Sequence, residues 1–282
     1  MLATTTHRID TALGFINVQV SGTGQALVCW PSLLMNGQMW RAQAQHYSQR
    51  YQVVLIDSPG HGASESLRQH FTMEDCALCL SQILDALKIS ECVLLGNSWG
   101  GMMGGVFASL YPERIRAAVL MNCTASAVGF KQKLEFLAMT AVLRHCNKFP
   151  MFMAQRAVAA FAGETSERSK PDVVKFIRDT VSAVDPRSVH WAIRSVVAYR
   201  TDHHAQLRTI KCPVLVLAGE EDRTFPVPET KAMADAIPNA QFVVLPRIGH
   251  LAALEAPEIV NEVIDSFLAG VEALHTITRA PI

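Results

Sequence analysis

Ser98 stands between two glycines in Gly96-Asn97-Ser98-Trp99-Gly100, directly after the apolar run 92–95 and ahead of a stretch of helical character, 102–111. This pattern predicts a strand, a tight turn with the serine at its tip, and a helix. Such a turn forces the serine into a strained backbone conformation, and side chains at 96 and 100 would collide with the neighbouring strand and helix. The hydroxyl is thereby held at the top of a sheet with a helix N-terminus behind it, which is where a nucleophile belongs. A serine hydroxyl is a poor nucleophile alone. It needs a base to take its proton, and the base needs an acid to orient it.

Both partners lie downstream. The apolar stretch 213–218 reads as a buried strand and ends in Gly219-Glu220-Glu221-Asp222-Arg223-Thr224-Phe225-Pro226, so Asp222 falls at a strand's C-terminal end. A helical stretch, 229–236, and another apolar strand, 241–245, lead to Arg247-Ile248-Gly249-His250. Active sites of open α/β sheets lie at the carboxyl ends of strands, so Ser98, Asp222 and His250 are expected to converge on one edge. Glu220 and Glu221 are rival acids. A carboxylate after Met121 would be another, but Asn122-Cys123-Thr124 offers none, so Asp222 is favoured.

In family order, four signatures carry a resemblance to the α/β-hydrolase superfamily over nearly the whole chain. They are Asp57-Ser58-Pro59-Gly60-His61-Gly62-Ala63-Ser64, the turn at Ser98, the loop Gly219…Asp222…Pro226, and Gly249-His250. The resemblance implies a mostly parallel sheet flanked by helices, a helical cap inserted between core strands, and a Ser98–His250–Asp222 triad. The backbone N–H of Trp99, the residue after the nucleophile, is expected to donate to an oxyanion. The second donor should come from the loop after strand 26–30. Many members carry His-Gly-x there, with the glycine eight residues before a tryptophan; this chain departs from that pattern with Pro31-Ser32-Leu33, and the eight-residue spacing of Ser32 to Trp40 assigns the donor to Leu33. Ser32, Trp99 and Leu251 are expected to contact substrate.

The nucleophile type selects among reactions. Haloalkane dehalogenases and epoxide hydrolases of the superfamily use Asp at the turn, so Ser98 argues against both. Carbon–carbon bond hydrolases often carry Gly-Asn-Ser, but typically have a tryptophan after the histidine, where this chain has Leu251. Proline iminopeptidases can show Ser-Trp-Gly, with acidic cap residues that Glu164 and Glu167 do not clearly supply. The stretch from Gly249 to Glu258 and the Ser32-Leu33 pair are similar to 3-oxoadipate enol-lactonases and related esterases. That substrate's carboxylate would call for a basic cap residue, with Arg144, Arg156, Arg178, Arg194 and Arg200 as candidates. The expected reaction is hydrolysis of a small-molecule carboxylic ester or lactone through an acyl-serine, with no cofactor and no metal. Perhydrolase activity uses the same triad, and a receptor of the same fold is the non-catalytic alternative.

Composition agrees. Twenty-five basic and 25 acidic residues cancel, so no basic surplus points to nucleic acid. No run approaches the ~18 apolar residues of a membrane span. The seven cysteines read as reduced thiols of a cytoplasmic protein. Cys76-x-x-Cys79 shares one face of an expected helix over 72–87 and has no second pair to hold zinc. His61 reads as structural, His190 and Trp191 as packing, and His203-His204 as no metal site. A hairpin is expected at 8–13 and 15–20, a helix at 40–49, and strands at 26–30, 51–56 and 116–121. From 124 to 209 strand signals stop, and helical stretches are expected at 151–161, 170–184 and 186–199. This divides the chain into a core, 1–123 with 210–282, and a cap, 124–209, with a homodimer as the candidate assembly.

Overall fold

A computed structural model describes residues 3–279, with side chains from 3 to 273. Eight strands form one sheet: β1 (Thr4–Thr11), β2 (Gly14–Ser21), β3 (Gln25–Trp30), β4 (Tyr51–Ile56), β5 (Cys92–Asn97), β6 (Ile115–Met121), β7 (Val214–Gly219) and β8 (Gln241–Leu245). Their spatial order is β1-β2-β4-β3-β5-β6-β7-β8. The pairings β1–β2 and β2–β4 are antiparallel, and the remaining pairings are parallel. β3, β5 and β7 are almost entirely buried along their length, as parallel strands covered on both faces must be.

The helices are α1 (Arg41–Tyr47), α2 (Met73–Ala86), α3 (Trp99–Leu110), α4 (Phe130–Leu143), α5 (Met151–Phe161), α6 (Glu164–Ser169), α7 (Pro171–Ala183), α8 (Pro186–Ile193), α9 (His204–Leu207), α10 (Val227–Ala236), α11 (Ala252–Glu255) and α12 (Pro257–Arg279). α4 to α9 lie in sequence between β6 and β7. α8 continues into a π-helical turn, Arg194–Ala198, in which the Tyr199 N–H donates to the Arg194 carbonyl at 2.8 Å.

Several bounds differ from the expectations for local reasons. The hairpin turns at Ala12-Leu13, and Gly14 takes φ 89° as β2 begins. Asn36 caps a 3-10 turn, Gly37–Trp40, ahead of α1. α2 starts on a capping box between Thr72 and Asp75. α6 is polar and short, and periodicity did not mark it. Cys76 and Cys79 both lie on the buried face of α2 as free thiols.

The order of the strands locates the site. Chain connections run outward from β3 to β4 on one side and from β5 to β6 on the other. Their adjacent carboxyl ends form the crevice where open α/β sheets hold ligands. The loop after β3 carries Ser32 and Leu33, and the turn after β5 carries Ser98.

Candidate active site

Ser98 takes φ 56° and ψ −111°, a left-handed conformation that L residues avoid. Two close approaches impose it. A Cβ at Gly96 would fall on the Gly100 carbonyl, and a Cβ at Gly100 would fall on the Trp30 carbonyl at the end of β3. Ser98 donates its N–H to Met121 O at 2.8 Å, and its carbonyl accepts from Met102 N–H at 2.9 Å. α3 therefore begins at Trp99, earlier than the apolar pattern implied. The Trp99 N–H precedes the first intrahelical donor and has no hydrogen-bond partner among the described residues. Among the described residues, the Ser98 hydroxyl makes no hydrogen bond.

His250 and Asp222 form a buried pair, with Nδ1 and Oδ2 2.9 Å apart. The other Asp222 oxygen accepts from the N–H groups of Thr224 at 2.7 Å and Phe225 at 3.0 Å. Oδ1 is thus fixed by two amides, which aims Oδ2 at the ring. An ionised carboxylate can only accept, so in the neutral ring Nδ1 would carry the proton and Nε2 the lone pair. Nε2 is buried and has no hydrogen-bond partner among the described residues. Phe161 stacks on the imidazole at 5.3 Å, and Phe225 lies 5.6 Å from it. Glu221, the rival acid, faces away: Thr165 donates to it through both its N–H and its hydroxyl, at 2.7 Å each. Burial raises the Glu221 pKa, but these hydrogen bonds, with Arg223 and Arg168, outweigh it and hold the carboxyl below its ordinary range.

The loop after β3 is a tight turn. Met35 N–H donates to Ser32 O at 3.1 Å, and Leu34 occupies the left-handed position with φ 66°. Leu34 N–H donates to His61 Nε2 at 3.1 Å. That leaves the Leu33 N–H without a partner among the described residues. His61 is buried, and its Nδ1 lies 2.9 Å from Pro59 O. Burial pushes its pKa down to about 4, against the raising effects of the Pro59 carbonyl and Asp57. His61 is therefore neutral and shapes the loop.

Asn97 ties this loop to the others. Its side-chain N–H groups donate to Ser32 Oγ at 2.9 Å and to His250 O at 2.8 Å. Asn122, at the end of β6, donates to Gly249 O at 2.5 Å. Carboxyl ends of β3, β5, β6 and β7 thus meet around one histidine loop. The residues expected to contact substrate are all wholly buried. Ser32 spends its hydroxyl on Asn97, the Trp99 indole packs among Trp30, His61 and Phe71, and Leu251 lies in the core. Among the candidate arginines, Arg200 is buried and donates from Nε to Ser126 O at 2.7 Å. Arg194 donates to the Tyr199 hydroxyl at 3.1 Å. Roles for Asn122 and Glu255 had no signal in spacing or periodicity. Among the described residues no cluster of His, Cys, Asp and Glu could hold a metal, and no helix is long and apolar enough to cross a membrane.

A strained serine between a parallel strand and a helix, with a buried His–Asp pair at the carboxyl ends of the same sheet, is the arrangement of the α/β-hydrolase fold. The family model for that fold matches residues 25–257, and the chain belongs to the family. The chain is similar to a thermophilic esterase from Thermogutta terrifontis, solved with malate bound, at 30% identity and TM-score 0.88 over 95% of this chain and 99% of that one. It is 30% identical to the poly(3-hydroxyalkanoate) depolymerase of Ectopseudomonas oleovorans, covering 77% of this chain and 75% of the relative. It is 25% identical to 3-oxoadipate enol-lactonase 2 of Acinetobacter baylyi, covering 86% and 88%.

Proposed function

We infer that the chain is a serine hydrolase that cleaves a carboxylic ester or lactone through an acyl-serine intermediate. The observation that carries this reading is the buried Asp222–His250 pair, whose free Nε2 lone pair belongs to the same loop cluster as the strained Ser98. Nε2 takes the Ser98 proton as Oγ attacks the carbonyl carbon. Negative charge develops on the carbonyl oxygen, and the free N–H groups of Leu33 and Trp99 stabilise it. The imidazolium, balanced by Asp222, returns the proton to the departing alkoxide, leaving the acyl-serine. Water, deprotonated by His250, releases the acid and restores the serine. No step needs a metal or an organic cofactor.

The three relatives named above support the ester reading, since an esterase, a polyester depolymerase and an enol-lactonase all break acyl–oxygen bonds. The helical segment 124–209 acts as a cap in this account. Its Phe161 supplies a wall against His250. Seven free thiols support a reducing, cytoplasmic location.

Initial rates on p-nitrophenyl esters from acetate to palmitate, beside simple lactones, test this with wild type and Ser98→Ala. Turnover lost in the variant supports the reading. Turnover unchanged in Ser98→Ala refutes it. Rates on neither substrate class, with a selective attack on a carbon–carbon bond, would move the chain to the carbon–carbon hydrolases.

A further inference from the structure

Glu255 is 2% exposed and carries a carboxylate with no ion-pair partner among the described residues. A lone buried carboxylate is strongly unfavourable unless its oxygens are hydrogen-bonded. Here three backbone N–H groups do so. Leu251 donates to Oε1 at 3.1 Å, while Gly249 at 3.2 Å and Gly163 at 2.9 Å donate to Oε2. Two of these donors flank His250 on either side. The amide between them, that of His250 itself, donates to Phe161 O at 3.1 Å. Three consecutive amides around the base are therefore all tied down. The third donor, Gly163, lies between α5 and α6, some 90 residues away in sequence. Its backbone runs so close to Gly249 that a Cβ on Gly249 would fall on the Gly163 nitrogen. Lys170, just after α6, donates to the main-chain carbonyl of Glu255, so the inserted helices meet this residue twice.

We propose that Glu255 is a positioning residue that clamps the loop carrying His250 to the α5–α6 joint, and so sets the imidazole against Ser98. This rests on the serine-hydrolase reading for its kinetic consequence, but not for the clamp itself. A carboxylate suits the task because both oxygens accept. In Glu255→Gln one oxygen becomes an NH2 group, which must face either Leu251 N–H or the Gly163–Gly249 pair. One side of the clamp then opens, while the size of the side chain is kept.

The test separates positioning from bulk stability. Active sites of wild type and Glu255→Gln are counted with a phosphonate that reacts with an activated serine, and kcat is expressed per titrated site across the pH range. Displacing a base slightly costs on the order of 10- to 100-fold in rate. The expected result is a fall of that size in the pH-independent plateau of kcat, with KM within about twofold of wild type. A purely structural role predicts fewer titrated sites and a lower Tm, with kcat per site unchanged, and that result overturns the proposal. Amide hydrogen exchange on the wild-type protein needs neither a variant nor catalysis. Gly163, Gly249 and Leu251 amides should exchange slowly and together. Fast exchange at Gly249 and Leu251 would equally overturn the clamp. A wild type that the phosphonate leaves unlabelled would count against the serine reading, and the exchange data would still decide the role of Glu255.

Discussion

Replacing Asp222 by Asn leaves its shape intact and changes which nitrogen of His250 holds the proton. Oδ1 accepts from two amides, those of Thr224 and Phe225. An Asn side chain must keep its oxygen there, because the opposite orientation would set an NH2 group against two N–H donors. The NH2 group is then fixed toward His250 Nδ1, which must accept, so the proton moves to Nε2. That nitrogen can no longer take the serine proton. Restoring the working tautomer would forfeit the charge-assisted bond to Nδ1, about 1.5–3 kcal/mol, and bring two donors face to face, about 1–3 kcal/mol more. The total, about 2.5–6 kcal/mol, corresponds to roughly 10²- to 10⁴-fold in rate, reaching the loss of ~10⁴ seen when a triad tautomer is mis-set. The assay is kcat at saturating p-nitrophenyl ester, with circular dichroism to verify the fold, which keeps both Oδ1 bonds. A kcat within tenfold of wild type in a folded Asp222→Asn protein would refute this reasoning.

Stability should depend on His61 in mildly acidic solution. Its pKa lies at about 4 in the folded chain against an ordinary 6.5, so the folded state favours the neutral ring. The contribution is full above about pH 6.5 and is lost as pH falls toward 4; it is worth roughly 3 kcal/mol. Urea midpoints measured over this range should fall less in His61→Gln than in wild type; parallel curves would contradict it. Ser98→Gly should be about 1 kcal/mol more stable than Ser98→Ala in thermal melts, because glycine relieves the left-handed backbone that alanine keeps, less the entropy it adds to the unfolded chain. Equal or reversed stability would mean that φ 56° stores no strain. Turnover should persist after prolonged EDTA treatment, and loss that added metal restores would contradict the proposed chemistry.

The framework was legible because its signals are local. The apolar run of β5 followed by two glycines predicts the turn at Ser98, and strand ends place Asp222 and His250 on the same edge. What escaped is what long-range hydrogen bonding creates. Asn97 joins Ser32 to the His250 carbonyl across 65 and 153 residues. Glu255 enters the sequence reading only as part of the stretch Gly249–Glu258, yet its oxygens serve amides at 163, 249 and 251. His61 reads as part of a turn, and its ring fixes a left-handed leucine in another loop. Such partners have no fixed spacing, so neither periodicity nor motif order reveals them. The substitution of Ser32 for glycine in the loop after β3 becomes intelligible only beside Asn97, which holds its hydroxyl.

The central claim is that Ser98 is the nucleophile. Its most direct test is peptide mapping by mass spectrometry after brief exposure to an activated phosphonate ester. The account predicts one adduct per chain, on the peptide containing Ser98, absent in Ser98→Ala and strongly slowed in His250→Ala. Ester hydrolysis that proceeds while Ser98 stays unmodified, or an adduct on another residue that tracks the loss of activity, would contradict it.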